Sequence, residues 1–410
     1  MVLNHKFLLG EVEVKKILII LLAFLMVIPI VIANENENPE KAPEKINTPE
    51  DLAPNSKSAI LIEATTGEML YQKNVHEKLS PASMTKIMSM LLIMEALDKG
   101  KVSLDDTVVI SPDAAGMGGS QIFLQIGTKM RVFELLKGIA ISSANDASVA
   151  MAEKIAGTES KFVELMNKRA RELGARNTNF KNSHGLDDAD HYSTAYDMAL
   201  IARELVKHEK VLEFTGIYEE YLNKPDGTSV WLVNTNRLVR FYDGMDGLKT
   251  GFTSVAGYCL TATAKRNNLR LISVVMQVET SDKRSADTVK LLNAGFNGYK
   301  INLILDKNAE LGKIKIENGK KEHAELQLME PLTELQKVTD DIKEYTFNIK
   351  MNKVKAPVRP GQKVATLELI HNKRVVRTVS LTVKEEVAKA NLFNLIARNI
   401  KVIVSGKSFM

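Results

Sequence analysis

Residues 81–94 read Pro81-Ala82-Ser83-Met84-Thr85-Lys86-Ile87-Met88-Ser89-Met90-Leu91-Leu92-Ile93-Met94, and the rest of the chain is organised around them. The apolar run ends near Asp98-Lys99-Gly100, so Pro81 upstream and Gly100 downstream bracket a helix. Being apolar nearly all round, that helix belongs at the buried centre of a domain. Positions three apart share a helical face, which lets the Lys86 amine approach the Ser83 hydroxyl. Burial drives an amine toward its neutral form, and a neutral lysine can take the serine proton and so make a nucleophile. A capping serine beside a solvated lysine is the competing reading, and the four residues Ser83–Lys86 do not decide it alone.

Length and composition set the bounds. A chain of 410 residues is long enough for two or three domains. Its formal net charge of +5 is small for that length, and no basic run is interleaved with aromatics, so nucleic acid is not an expected partner. The single cysteine, Cys259, excludes an internal disulfide and a cysteine-based zinc site. It falls in a strand-like segment and reads as a small core residue. Near the start, Lys15 and Lys16 precede an uncharged run from Ile17 to Ala33 that ends Val31-Ile32-Ala33. This pattern reads as an export signal over residues 1–33, cleaved after Ala33. An uncleaved anchor is the alternative, but the run is short against the about 20 residues that span a bilayer.

Residues 34–49 are polar and rich in Asn, Glu and Pro, the composition of a linker. Ser58–Ile62 and Met69–Tyr71 read as strands around a turn at Thr65-Thr66-Gly67. After the central helix comes a glycine-rich stretch, Gly116–Gly119, leading to Ser120–Leu124. Val132–Ile141 and Ala147–Ile155 have helical spacing, and the polar break Ser142-Ser143-Ala144-Asn145-Asp146 separates them. That break is either a helix–helix turn capped by Asp146 or a device that presents Ser143 and Asn145 to a cleft. Phe162–Leu173 and Ala195–Val206 read as helices. The loop Asn182–His191 between them holds two histidines and three aspartates, but its spacing fits no zinc signature; a hydrogen-bonded surface loop is expected. Tyr258–Ala264 and Leu269–Val278 alternate like antiparallel strands, with Lys249-Thr250-Gly251 on a neighbouring strand where glycine admits a ligand close to the backbone. From Ile301 to Val383 short strand-like segments imply a separate small β-domain. The segment Glu386–Val404 has a broad apolar face of Ala388, Leu392, Phe393, Leu395, Ile396, Ile400 and Ile403 opposite Asn391, Asn394, Arg398 and Lys401. It reads as an amphipathic helix lying in a membrane surface, with docking on its own domain as the alternative.

Ser83-x-x-Lys86, Ser143-x-Asn145 and Lys249-Thr250-Gly251, in that order, resemble the three signature motifs of penicillin-binding proteins and serine β-lactamases. The flanks Pro81-Ala82-Ser83-Met84-Thr85-Lys86, Ser143-Ala144-Asn145-Asp146-Ala147 and Asp246-Gly247-Leu248-Lys249-Thr250-Gly251-Phe252-Thr253 are similar to those of the exported D-alanyl-D-alanine carboxypeptidases. The resemblance implies an α/β (α+β) β-lactamase/transpeptidase-like domain over residues 50–297, with an antiparallel sheet and a buried central helix. A small all-β domain over residues 298–384 and an anchoring helix over residues 385–410 would follow. It implies a serine peptidase that needs no cofactor or metal, acts on peptidoglycan stem peptides ending in D-Ala-D-Ala, and is acylated by β-lactams at the outer face of the cytoplasmic membrane.

By resemblance, Ser83 is the nucleophile, Lys86 its base and Ser143 a proton relay, while Asn145 holds the peptide backbone. Lys249 and Thr250 grip the terminal carboxylate beside Gly251, the N–H groups of Ser83 and Phe252 form the oxyanion hole, and Arg284 assists carboxylate binding. Phe252 stands where several members carry histidine, which puts side-chain contacts to substrate, and with them deacylation, in question. The rivals are a β-lactamase, a D,D-endopeptidase or transpeptidase using the same residues, a non-catalytic wall-binding protein, and a zinc D,D-peptidase. Glu164-Leu165-Met166-Asn167 has the wrong spacing for the glutamate–asparagine loop of a class A β-lactamase.

Overall fold

A computed structural model describes residues 51–341 and 343–391. The expected export segment (1–33), the linker (34–49) and the expected anchoring helix beyond Asn391 lie outside the described residues. The first strands are β1 (Ser58–Glu63) and β2 (Met69–Lys73), followed by two small hairpins, β3 (Thr107–Val109) with β4 (Lys129–Arg131), and β5 (Glu219–Asn223) with β6 (Ser229–Val233). Three longer strands follow: β7 (Met245–Thr253), β8 (Gly257–Arg266) and β9 (Leu269–Val278). The main helices are α1 (Lys86–Asp98), α2 (Val132–Ile141), α3 (Asn145–Ala156), α4 (Glu159–Glu172), α5 (Ala195–Leu205) and α6 (Ser281–Gly298).

Strands β2, β1, β9, β8 and β7 form one antiparallel sheet in that order. Side chains alternate across a strand, and here both faces are apolar. Ile60 and Ile62 of β1, with Ile272, Val274 and Met276 of β9, join the core shared with α1. Ala59 and Leu61, with Leu271 and Val275, join a second core shared with Leu291 and Leu292 of α6. The sheet is therefore sandwiched between helices, and a one-residue slip in register would exchange the two cores. The central helix is as the sequence reading expected: Lys86 to Leu91 are all buried. Cys259 is a buried free thiol.

Among the described residues after α6 the elements are strands: β10 (Tyr299–Leu305), β11 (Lys313–Glu317), β12 (His323–Leu328), β13 (Leu332–Lys337), β14 (Thr346–Met351), β15 (Val354–Lys355), β16 (Ala365–His371) and β17 (Arg374–Val383). Six of them run in the order β14-β16-β17-β12-β11-β15, and β10 pairs with β13. Their inward side chains, among them Ile314, Leu326, Leu367 and Leu381, form a core of their own. The expected small all-β domain is thus present.

One expectation is corrected at its edge. The helix assigned from Glu386 begins, over Glu386–Asn391, as extended chain. Val387 exchanges both backbone hydrogen bonds with Val358, at 2.9 and 3.0 Å, and Ala390 N–H donates to Asn318 O at 2.8 Å. Val387 is buried in the β-domain core, so tertiary pairing overrides the helical pattern here. A chain ending at Asn391 should match the full chain in urea unfolding. One ending at Glu385 exposes Val358 and loses Val387, and should be destabilised by about 2 kcal/mol; equal midpoints for the two truncations would show that the pairing contributes nothing.

Candidate active site

Ser83 does not open an α-helix. It lies in a 3-10 turn, Ala82–Thr85, and α1 begins at Lys86. In a 3-10 turn side chains three apart eclipse one another, which places Lys86 Nζ 3.1 Å from Ser83 Oγ. The turn is clamped from both sides. A Cβ on Gly251 of β7 would stand 2.6 Å from Pro81 O, and one on Gly185 would overlap Ala82 O. Gly185 also has φ +89, so glycine is required twice over there. Ala82 itself takes φ +46, a left-handed conformation that costs an alanine about 1–3 kcal/mol. Packing holds the residue before the nucleophile in place against that cost.

Lys86 is fully buried. Its amine donates to Asn145 Oδ1 and to His184 O, both at 2.6 Å. Burial, and then the charge of Lys249, hold its pKa well below the ordinary 10.5, with Asp146 opposing. A neutral amine has two N–H groups and one lone pair. With two strong acceptors taking two N–H groups, loss of the third proton would leave the lone pair facing Ser83 Oγ, 3.1 Å away.

Asp146 lies inside the first turn of α3 rather than at its N-cap, although its carboxylate still accepts from the Ala147 N–H at 2.8 Å. Helix α3 starts at Asn145, with Ala144 before it and no side-chain cap. The buried Asp146 carboxylate also accepts from the N–H groups of Ile122 and Leu124, both at 3.1 Å, and so fixes the chain after the glycine-rich stretch. Asn145 Nδ2 donates to Gly118 O at 2.8 Å, tying that stretch to Lys86 through one side chain. Ser143, two residues earlier, is buried with φ +66. Two motif segments thus carry positive-φ residues that are not glycine, Ala82 and Ser143.

The Lys249-Thr250-Gly251 stretch lies on the edge strand β7, against the nucleophile turn. Lys249 is buried and its pKa is pushed down to about 7, first by burial and then by Arg284. Arg284, from α6, is itself buried; its Nε has no hydrogen-bond partner among the described residues, and burial lowers its pKa. Three cationic side chains thus influence one another in series, Arg284 on Lys249 and Lys249 on Lys86. Buried positive groups without an anion are costly, so this row is suited to receive a carboxylate. Thr250 Oγ1 donates to Thr235 Oγ1 at 2.7 Å. Phe252 is exposed, its ring centroid 4.3 Å from that of Tyr258.

The loop Asn182–His191 is at the surface over residues 186–190, as expected, but its two ends are buried. Asn182, Ser183, His184 and His191 are all buried, and His184 supplies the carbonyl that Lys86 uses. Burial lowers the pKa of His184 to about 3 and of His191 to about 4, so both rings are neutral near pH 7. Lys181 N–H donates to His191 Nδ1 at 3.3 Å, which leaves Nε2–H to donate to Thr85 Oγ1 at 2.9 Å. Among the described residues no three His, Cys, Asp or Glu side chains are grouped to hold a metal. The sequence reading missed the His184 carbonyl, the Gly185 contact and Thr235; backbone atoms carry no side-chain signature, and Thr235 lies in no recognised motif.

A family model described as D-alanyl-D-alanine carboxypeptidase matches residues 44–280, and one described as the C-terminal domain of penicillin-binding protein 5 matches residues 299–389. The D-alanyl-D-alanine carboxypeptidase DacF of Bacillus subtilis is 49% identical over 351 residues, covering 85% of this chain and 90% of that protein. Penicillin-binding protein 5 of Haemophilus influenzae superposes with a TM-score of 0.65 at 31% identity, over 82% of this chain and 98% of that one. Penicillin-binding protein D2 of Listeria monocytogenes, in its ampicillin-bound form, gives a TM-score of 0.53 at 32% identity, over 59% of this chain and 97% of that one.

The electrostatic series has a measurable consequence. Raising the pH through the lowered pKa of Lys86 creates the free base, so acylation of Ser83 by benzylpenicillin should rise with pH and level off well below pH 10.5. In Lys249→Gln the cation that helps hold that pKa down is gone, so the acid limb should move to higher pH. An unmoved midpoint, whatever the loss in rate, would show that Lys249 does not tune Lys86.

Proposed function

The chain belongs to the D-alanyl-D-alanine carboxypeptidase family, and from that membership we infer a serine-type peptidase that removes the terminal D-alanine from peptidoglycan stem pentapeptides and is acylated by β-lactams. The observation that carries the assignment to this site is the Lys86 amine, buried, held by two acceptors and turned toward Ser83.

In the proposed reaction the substrate carboxylate is bound by Lys249 and the Thr250 hydroxyl, with Arg284 behind them. Its charge favours protonated Lys249, whose pKa of about 7 in the free site rises when an anion is paired with it. The Ser83 hydroxyl passes its proton to Lys86 Nζ as Oγ attacks the penultimate carbonyl carbon. The developing oxyanion is taken by the N–H groups of Ser83 and Phe252, a contribution worth about 10²–10³ in rate per donor. Collapse breaks the peptide C–N bond, and the proton held on Lys86 reaches the leaving D-alanine nitrogen through Ser143. The ester left on Ser83 is then hydrolysed by water, with Lys86 again as base. Asn145 spends one N–H on Gly118, and the second is available to a peptide carbonyl.

We also propose export by the segment 1–33, cleavage after Ala33, and attachment to the outer face of the cytoplasmic membrane by the amphipathic segment after Asn391. The uncharged run Ile17–Ala33 and the one-sided apolar pattern of Leu392, Phe393, Leu395, Ile396, Ile400 and Ile403 support this reading. Among the described residues no helix is long and apolar enough to cross a membrane. The catalytic domain is proposed over residues 50–297 and the β-domain from residue 298. The β-domain is proposed to include Ala390 rather than to end at residue 384; the Val387–Val358 bridge and the Ala390 N–H to Asn318 O bond support this.

The test is D-alanine release from a pentapeptide ending in D-Ala-D-Ala, together with intact mass after benzylpenicillin. Wild-type protein should release D-alanine and gain one adduct on Ser83, and Ser83→Ala should do neither while unfolding at the same temperature. A persistent adduct in Ser83→Ala would overturn the nucleophile assignment. Rapid, catalytic consumption of penicillin would favour a β-lactamase.

A further inference from the structure

The β5–β6 hairpin carries two large aromatic side chains that the reaction above does not use. Tyr221 and Trp231 stand directly opposite each other across the hairpin and are 64% and 58% exposed. Their orientation is fixed from beneath. Leu222 and Leu232 are fully buried in the main core, so alternation sends Tyr221 and Trp231 to the outer face. Beside them on that face the next pair, Asn223 and Ser229, is joined by a 2.7 Å hydrogen bond. Exposed aromatic pairs of this size mark contact surfaces, and Trp and Tyr are the side chains that most often carry binding energy at them.

The hairpin is tied to segments that flank the candidate site. Lys224 Nζ donates to Phe123 O at 2.9 Å, in the stretch fixed by Asp146. Lys137 of α2 pairs with Glu220 at 2.6 Å. Thr235, just beyond β6, donates its N–H to Ile141 O at 3.3 Å and accepts from Thr250 Oγ1 at 2.7 Å.

We propose that Tyr221 and Trp231 form a stacking platform for sugar rings of the glycan strand that carries the stem peptide. The proposal rests on the preceding reading that a peptidoglycan stem peptide is the substrate. A pyranose ring has an apolar face of C–H groups and a rim of hydroxyls, which match an aromatic face and a neighbouring amide–hydroxyl pair. The reach also matches. Trp231 is four residues along the chain from Thr235, about 13 Å if fully extended. An extended pentapeptide held by its carboxylate at Thr250 spans up to about 17 Å, which brings its sugar-bearing end to the platform. A second copy of the chain is a poorer occupant. Two aromatic side chains offer far less than the about 800 Å² per partner of a stable interface, and the adjoining pair is polar.

The experiment compares the full chain with Trp231→Ala and with Tyr221→Ala/Trp231→Ala on two substrates, a free pentapeptide and the same pentapeptide on glycan oligomers. The double variant should lose about tenfold in kcat/KM on the glycan-linked substrate. It should stay within about twofold of wild type on the free peptide and in benzylpenicillin acylation, and Trp231→Phe should restore most of the loss. An equal fall on both substrates, or no fall on either, overturns the platform. Should the wild type release no D-alanine from either substrate, the reaction assignment fails by itself. Binding of peptide-free glycan strands then decides the platform: retention by wild type and loss in the double variant upholds it, and equal retention overturns it. A change of oligomeric state with unchanged glycan binding would assign the face to a second copy and overturn it as well.

Discussion

A lysine amine with two carbonyl-type acceptors at 2.6 Å and a serine oxygen at 3.1 Å is the interaction on which the rest of this molecule depends. Each acceptor comes from a different part of the chain: Asn145 from the start of α3, His184 from the loop after α4. Neither can be placed unless the helices around α1 pack to close tolerance, and α1 must be apolar enough to make the Lys86 position dry. Dryness is what lowers the pKa of the amine, and the two acceptors leave its lone pair one productive direction. The same burial that stabilises the domain therefore lowers the pKa of the amine proposed as the base.

The anion side of the cleft follows from similar constraints. Strand β7 can approach the nucleophile turn only because Gly251 has no side chain to meet Pro81 O at 2.6 Å. That approach brings Lys249 close enough for its charge to act on Lys86, with Arg284 acting on Lys249 in turn. Arg284 and Lys249, buried side by side with lowered pKa values, suit a carboxylate, whose binding would offset the cost of their buried charge. The positive φ values at Ala82 and Ser143 occur in two of the motif segments, where surrounding packing can hold them.

Much of this was legible in the residues. The all-round apolar run after Lys86 marked the central helix, and alternation marked β8 and β9. The turn-rich strand segments after Ile301 marked the small β-domain. The three motifs could be picked out because each pairs a reactive residue type with a telling neighbour: lysine three residues from serine, asparagine two from serine, glycine after lysine and threonine. What stayed hidden was carried by backbone or by distant pairing. His184 acts through its carbonyl, which any residue would supply, and Gly185 is required by a contact with Ala82, about a hundred residues away. The 3-10 turn at Ser83 and the extended run at Val387 both obey tertiary contacts against local pattern, the first pressed by Gly251 and the second bonded to Val358. Asp146 looked like a cap, and its carboxylate does accept from Ala147 N–H, but it also holds the distant N–H groups of Ile122 and Leu124.

The central claim is that burial holds the pKa of Lys86 well below 10.5, and direct titration tests it most plainly. Lysine side chains labelled with ¹³C at Cε report their own protonation by chemical shift, and comparison with Lys86→Arg identifies the Lys86 signal. The account predicts that this signal titrates well below 10.5. A Lys86 that titrates at or above 10.5 in the folded protein would contradict it, and the proton acceptor for Ser83 would then have to be sought elsewhere in the cleft.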